Sequence, residues 1–197
     1  MKIYFAGPLF TPYVRQFISE HAQILRENNI EPFVPHESFK PVIAPEIIKS
    51  LVEQGALKQE ELVGQSASDL AIELLRKGRL TREQLGLPPR SAEFIFEKDY
   101  EGLVGANAVV ALLDGTQVDD GTACEIGIFY GLLREDPSKK GIAGFMTDSR
   151  GLRKADQGYG INLFVLGVIE ECGRIFGGFQ EVLGQLKTWE TELEAGL

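Results

Sequence analysis

The sequence has little of what metal and disulfide chemistry require. It contains only two cysteines, Cys124 and Cys172, and two histidines, His21 and His36, with no CxxC or HExxH spacing. Structural zinc sites and disulfide frameworks need more of these residues, at closer spacing. We therefore expect no metal site, both cysteines in the core, and any catalysis to depend on carboxylates.

Basic residues and long apolar runs are also scarce. The chain has 20 Lys and Arg against 29 Asp and Glu, a formal net charge of −9, whereas duplex binding requires clustered cations that neutralise phosphates. No apolar run approaches the roughly 20 residues of a membrane-spanning helix. Residues 1–5 (MKIYF) show no signal-peptide pattern. These features predict a cytoplasmic protein that binds neither nucleic acid nor membranes.

What the chain does contain is an alternation of strand and helix patterns over 197 residues, of which 44% are hydrophobic. This alternation is typical of a doubly wound α/β fold, flavodoxin- or Rossmann-like, with a parallel sheet of about five strands and a ligand crevice at the carboxyl ends of the strands. Strands are expected at 3–6, 30–34, 108–113, 142–145 and 175–176, and helices at 14–25 and at about 121–134, 161–171 and 178–193.

Residues 45–92 interrupt this alternation with two successive helical patterns and a weak repeat at an offset of 23 residues. Each copy predicts a helix that ends at glycine, and Thr81 and Gln84 have the spacing of a capping box. We interpret residues 1–197 as one domain with a helical insertion at about 45–92, which is either a lid over the site or a contact with another subunit. The repeat itself is either a chance similarity of two helix ends or a local duplication. The repeated residues are Leu51, Gly55, Leu57, Glu60 and Leu62, then Leu74, Gly78, Leu80, Glu83 and Leu85.

The most informative segment leads from the apolar strand at 108–113 through an acidic turn into a helix that carries Glu125 in its first or second turn. Gly115 and Gly121 allow a ligand to approach the backbone, and the positive end of the helix is expected to keep Glu125 ionised. An ionised carboxylate there can attack an electron-poor carbon while a second one carries a proton. The alternative is that these acidic residues only cap the helix. The sequence contains neither a GxGxxG nor a GK[ST] pattern. We therefore expect no bound cofactor of the dinucleotide or ATP type.

Three blocks of this sequence together resemble the signature blocks of nucleoside 2-deoxyribosyltransferases. They are residues 2–8 (KIYFAGP), 119–127 (DDGTACEIG) and 161–163 (INL), in the family's order and rough spacing, and residues 147–150 (TDSR) add to the likeness. The resemblance implies an α/β enzyme of nucleoside salvage that acts on a deoxynucleoside and a free nucleobase. The reaction retains configuration through a covalent deoxyribosyl-glutamate.

The resemblance also implies a role for individual residues. Glu125 matches the family's nucleophile, and Asp99 and Asp119 match the two aspartates that bind the base and handle its proton. Tyr4 matches the tyrosine that orients the nucleophile. Asn162 matches the asparagine that a neighbouring subunit presents to the sugar, so the complete site implies a homo-oligomer with an active site shared between subunits. Further candidates for substrate contact are Gly7, Phe10 and Gly121, with Phe39 as a second apolar wall.

For several of these residues a structural role remains open. Asp99 lies where a helix face is commonly solvated, and Tyr4 can be a packed aromatic residue of the core. Asn162 can cap the following helix. We assign the helix-capping role near Glu125 to Asp120 and the functional role to Asp119.

Other functions also remain open at this point. The nearest alternative is an N-glycoside hydrolase of a deoxynucleoside or its 5′-monophosphate, in which water replaces the acceptor base. A second is a non-catalytic nucleoside-binding module. The Gly-Thr-x-x-Glu pattern also resembles phosphoribohydrolases of the lysine-decarboxylase-like group, whose doubled glycine is missing here. The loop at residues 7–11 (GPLFT) lacks the Arg or extra Ser expected of a 5′-phosphate pocket, which favours nucleosides over nucleotides.

Overall fold

A computed structural model describes residues 1–38, 43–58, 66–88, 91–152 and 160–196 of the chain. The chain divides into two compact units. The first is formed by Met1–Ser38 and Lys98–Leu197, and the second by Phe39–Glu97. The insertion expected at about 45–92 lies within the second unit, and its assignment to a single domain, like its role, stays a prediction.

The first unit is built on a five-stranded parallel sheet with the order β2-β1-β3-β4-β5. This is the flavodoxin-type order of a doubly wound sheet, so the predicted fold class is confirmed. Because β1 lies between β2 and β3, the strand order reverses at the β1–β3 pair, where Tyr4 pairs with Val109. The strands are β1 Lys2–Ala6, β2 Glu31–Phe33, β3 Ala108–Leu112, β4 Gly141–Phe145 and β5 Gly173–Phe176.

The helices predicted at 14–25, 121–134, 161–171 and 178–193 each begin and end within two residues of the observed bounds. At α1, for example, the Thr11 side chain accepts a hydrogen bond from the amide of Val14 at 3.3 Å, and a proline occupies the first turn. No helix in the described ranges is long and apolar enough to cross a membrane. The helices are α1 Pro12–Glu27, α2 Pro35–Ser38, α3 Pro45–Glu53, α4 Ala67–Arg76, α5 Ala92–Gly105, α6 Asp120–Leu133, α7 Leu163–Cys172 and α8 Phe179–Glu194, with a 3-10 helix at Ser149–Leu152.

Two sequence expectations about this unit are wrong. Strand β2 is shorter than the expected 30–34, because the amide of Ile30 bonds back to the carbonyl of Leu25 at the end of α1 and Pro35 already begins α2. Cys124 is exposed on α6 and is not a core residue. Cys124 is exposed because its side chain lies on the outer surface of the helix, and the sequence pattern alone did not show which face of the helix it occupies.

The sheet is covered by helices on both faces, which is why β3 is apolar along its whole length and fully buried. Alternate residues of the strands point to opposite faces. On one face, Ile3 and Phe5 pack with residues of α1 and α8, and on the other, Tyr4 packs with residues of α5, α6 and α7. The periodicity of β1 therefore directs Tyr4 towards the helix that carries Glu125.

The second unit has its own apolar cluster, built from α3, α4 and the turns that follow them. The two helix ends have the same geometry at the repeat offset. Gly55 and Gly78 adopt φ of 70° and 69°, and the next amide reaches back to the carbonyl of Leu51 at 2.9 Å and of Leu74 at 2.8 Å. The predicted termination of each helix at glycine is thus confirmed, because only glycine adopts this conformation without strain.

The capping box predicted in this unit is also present. The Thr81 amide donates to the Gln84 side chain at 2.8 Å, and the Gln84 amide donates to the Thr81 hydroxyl at 3.2 Å. This capping box lies at the start of a turn and not of an α-helix. The repeat positions Glu60 and Leu62 lie outside the described residues.

Candidate active site

The candidate site lies where the strand order reverses. Tyr4 is on β1, and Glu125 is in the second turn of α6, the helix that follows the neighbouring strand β3. Ligands of doubly wound folds bind at this position, beyond the carboxyl ends of the strands. The strand order therefore brings residues 121 positions apart in sequence into one place.

The central contact of the site is a hydrogen bond from the Tyr4 hydroxyl to Oε1 of Glu125, 2.6 Å long. Tyr4 is fully buried, and its ring stacks on Phe33 with the centroids 5.3 Å apart. Burial and the nearby carboxylates of Glu125 and Asp99 raise the pKa of Tyr4. The hydroxyl therefore keeps its proton and acts as a fixed donor to Glu125.

Glu125 is half-buried, and desolvation is the main reason why its pKa rises to about 8. The hydrogen bond from Tyr4 opposes this rise, and the charges of Asp99 and Asp119 add to it. Burial therefore opposes the ionised form of Glu125 that the helix terminus is expected to favour. The field of a helix terminus falls off within the first turn, and Glu125 lies in the second.

Asp99 lies on α5 and faces the same contact. Its Oδ1 atom is buried and accepts no hydrogen bond within the described part of the chain. Burial raises the pKa of Asp99 to about 6, and the Tyr4 hydroxyl opposes this shift. A raised pKa suits an acid that protonates a leaving base, and burial is its cause here.

Asp119 connects the acidic turn to α6. Its Oδ2 atom accepts hydrogen bonds from the amide of Thr122 at 3.0 Å and from the Thr122 hydroxyl at 3.3 Å. Asp119 is thus the N-cap, and the assignment of this role to Asp120 is wrong. Asp120 is the first residue of the helix and accepts a bond from the amide of Gly121 at 3.0 Å. Asp119 can cap the helix and act on Glu125 at once, since its charge raises the pKa of Glu125.

Two predicted glycines have packing reasons of their own. A Cβ atom on Gly7 would lie 3.0 Å from Cδ1 of Ile18 and 3.2 Å from Cβ of Leu112, so any other residue at this position would crowd these two side chains. A Cβ atom on Gly121 would lie 3.1 Å from Oδ2 of Asp119. Ligand contact at both positions stays a prediction.

Within the described ranges, neither Phe10 nor Asn162 forms a hydrogen bond with the carboxylates of the candidate site. Phe10 is 81% exposed. Asn162 caps α7, where its Oδ1 atom accepts a bond from the amide of Phe164 at 2.9 Å. The capping alternative for Asn162 is confirmed, and its contact with substrate stays a prediction. Phe39 lies outside the described residues.

Sequence reasoning missed a polar network that joins the loops after β3 and β4. The amide of Thr147 donates to Asp114 at 2.6 Å, the amide of Gly115 donates to Asp148 at 2.9 Å, and the Arg150 guanidinium pairs with Asp148 at 2.9 Å. The available signal was a set of polar residues that directly follows two apolar strands. In the residues that the structure covers, no group of His, Cys, Asp and Glu could hold a metal ion.

Comparison with solved structures shows the fold. A conserved protein from Enterococcus faecalis V583 is 22% identical, with a TM-score of 0.61 over 95% of this chain and 98% of that chain. A 2-deoxyribosyltransferase from the psychrotolerant bacterium Bacillus psychrosaccharolyticus is 19% identical, with a TM-score of 0.50 over 92% of this chain and 90% of that chain. At these identities the likeness establishes the architecture alone.

Comparison with sequences is more specific. No curated protein matches the chain significantly. The profile of the nucleoside 2-deoxyribosyltransferase family, however, matches residues 3–164. The match includes Tyr4, Asp99, Asp119 and Glu125, the four side chains that the fold brings together. The chain therefore belongs to the nucleoside 2-deoxyribosyltransferase family.

Proposed function

We propose that the protein is a nucleoside 2-deoxyribosyltransferase, which moves 2-deoxyribose between purine and pyrimidine bases with retention of configuration, in cytoplasmic nucleoside salvage. The observation that carries this proposal is the 2.6 Å hydrogen bond between Tyr4 and Glu125, close to Asp99, whose Oδ1 atom is buried. A nucleophile with a fixed donor and a neighbouring acid are the two parts that a retaining transfer requires.

In the first half-reaction, ionised Glu125 attacks C1′ of the deoxyribose while the bond from C1′ to the base nitrogen breaks. The electron pair of that bond leaves with the base, which accepts a proton from a neighbouring acid. The product is a covalent deoxyribosyl-glutamate. An incoming base then attacks C1′ from the opposite face, returns its proton to the enzyme and releases Glu125. Two inversions give net retention.

Tyr4 orients the nucleophile in this scheme. Because the hydroxyl is bonded to Oε1, Oε2 is the oxygen that faces C1′. The same hydrogen bond lowers the pKa of Glu125 and so favours its reactive form. Since Tyr4 keeps its own proton, it remains a donor throughout the cycle.

Asp99 is the better candidate for the acid that protonates the leaving base. Its pKa of about 6 lies close to neutrality, where a general acid works most efficiently. Because the pKa of Glu125 is higher, at about 8, a proton shared by the two carboxyls lies mainly on Glu125 in the free enzyme, and the reactive form is the one in which this proton has moved to Asp99. Asp119 contributes binding to the base, with Oδ2 held by the helix cap. Three carboxylates around the sugar favour an uncharged nucleoside over a 5′-monophosphate.

We also propose that the active protein is a homo-oligomer. An apolar groove of about 550 Å³ lies between α6 and α7, lined in part by Tyr130 and Gly167. Leu163, which is 74% exposed, and Phe164, which is 85% exposed, also line it. A second copy covering this face would remove both side chains from water and carry Asn162 towards the neighbouring site.

The test is a chromatographic assay of base exchange. The protein is incubated with thymidine or deoxyinosine, with and without free adenine. We expect deoxyadenosine only in the tube with adenine. The Glu125→Gln variant should form none, whereas Glu135→Gln, an exposed residue just beyond α6, should exchange bases as the parent does.

Each other outcome contradicts either the transferase assignment or the role of Glu125. Equal release of free base in both tubes would establish a hydrolase, with water as the acceptor. Saturable nucleoside binding without base release would establish a binding module. Base exchange at the normal rate by Glu125→Gln would disprove the role of the nucleophile.

A further inference from the structure

A buried guanidinium joins the two strand ends next to the acidic turn. Arg150 is only 8% exposed. Its Nε and Nη2 atoms donate to Oδ2 of Asp148 at 3.1 Å and 2.9 Å. Its Nη2 atom also donates to the carbonyl of Leu113, the residue that follows β3. One side chain from the loop after β4 thus holds both a carboxylate of its own loop and the backbone of the other.

Two carboxylates also join the loops, and each accepts hydrogen bonds from the backbone of the other loop. Asp148, in the loop after β4, accepts a hydrogen bond from the amide of Gly115 at 2.9 Å. Asp114, in the loop after β3, accepts bonds from the amides of Thr147 at 2.6 Å and Asp148 at 3.3 Å, and from the Thr147 hydroxyl. Each loop therefore caps the backbone of the other, and we call this set of residues the clamp.

The clamp holds the first half of the segment that leads to the nucleophile. Residues 113–119 run from the end of β3 to Asp119, which caps α6 through the amide of Thr122. Gly115 adopts φ of 133°, a backbone conformation that disfavours other residues. With its start held by the clamp and its end by the cap, the segment has little freedom to move Asp119 relative to Glu125.

We propose that Arg150 is a positioning residue, which acts through Asp148 and Leu113 to fix the 113–119 segment and thereby the place of Asp119 beside Glu125. This rests on the proposed function for its kinetic consequence. The planar fork of arginine suits the task, because it bonds a carboxylate and a carbonyl at once, which the single ammonium of lysine does less well. The Asp148 side chain is 29% exposed, and ion pairs, exposed or buried, contribute little net stability in comparison with apolar packing. The role that we assign to this pair is therefore geometric.

The first experiment compares Arg150→Lys with the parent in the base-exchange assay. We expect kcat to fall about 10- to 100-fold, the size of effect that a small misplacement of reacting groups produces, with KM changed less than about threefold. The pH midpoint of kcat/KM should also move to lower pH, because a displaced Asp119 raises the pKa of Glu125 less. Arg26→Lys, which alters the 2.6 Å pair of Arg26 with Glu37, is the matched control and should change neither.

A second variant and a second measurement keep the proposal testable if Arg150→Lys does not fold. Asp148→Asn removes the charge that Arg150 holds and should produce the same kinetic change. Amide hydrogen exchange followed by NMR needs no activity. The amides of Gly115 and Thr122 should exchange faster in either variant than in the parent, while exchange in Arg26→Lys stays unchanged.

The outcomes separate the two proposals. If the parent exchanges no bases, the proposed function fails, and the amide measurement alone then decides whether the clamp holds the segment. A folded Arg150→Lys or Asp148→Asn protein with the parent's kcat, pH midpoint and amide exchange would overturn the role of Arg150. Faster amide exchange with unchanged kcat would also overturn it, because the clamp would then be structural only.

Discussion

Replacing Glu125 by glutamine should stabilise the protein, and increasingly so as the pH rises. In the folded state the pKa of Glu125 is about 8, whereas the ordinary value of a glutamate side chain is 4.5. The folded chain therefore binds more protons than the unfolded chain between these two values. The stability that protonated Glu125 contributes is fully present below pH 4.5 and is lost as the pH rises through 8. Glutamine does not titrate, still accepts the Tyr4 hydrogen bond through its carbonyl, and escapes this loss.

The magnitude follows from the shift of the pKa. A rise from 4.5 to about 8 corresponds to an upper value of roughly 5 kcal/mol at about 1.4 kcal/mol per unit. Water reaches a half-buried carboxyl and screens it, so on the order of 2–4 kcal/mol should be measured at pH 9. Near pH 5 the free energies of unfolding of the variant and the parent should differ little.

Urea unfolding at pH values from 5 to 9 measures this difference. The single tryptophan, Trp189, lies in α8 against the sheet and reports on the unit that contains Glu125. The control is Glu135→Gln, which removes an exposed carboxylate from the same region of the chain and should track the parent at every pH. A stability difference between Glu125→Gln and the parent that stays constant from pH 5 to 9, or shrinks as the pH rises, would refute the reasoning.

Three further predictions concern the same site and its surroundings. Tyr4→Phe removes a bond that lowers the pKa of Glu125, so the pH midpoint of kcat/KM should move to higher pH and kcat should fall about tenfold or more; an unmoved midpoint would contradict the contact. Asp119→Asn preserves the helix cap but removes its charge, so the same midpoint should move to lower pH while the melting temperature stays near that of the parent. Phe164→Glu, at a position 85% exposed, should yield a folded species of lower mass than the parent by light scattering after size exclusion; equal masses would argue against this face as the subunit contact.

The sequence by itself determined those features that depend on local pattern. Strand and helix alternation, together with the fully apolar run of β3, was sufficient for the doubly wound class, because side-chain periodicity reflects which faces are covered. The glycines at 55 and 78 and the Thr81–Gln84 pair set local backbone geometry, so their roles were readable from a few neighbouring residues. The blocks at residues 2–8, 119–127 and 161–163, seen together, indicated the family.

The tertiary structure decided everything that depends on residues far apart in the chain. The bond between Tyr4 and Glu125 exists because β1 lies beside β3 in the sheet. The pKa values of Glu125 and Asp99 are raised mainly by burial, which no spacing reveals. Arg150 meets its partners in the 113–119 segment only because β3 and β4 end side by side. Burial, register and hydrogen bonding between distant segments arise from packing, and therefore only the folded chain shows them.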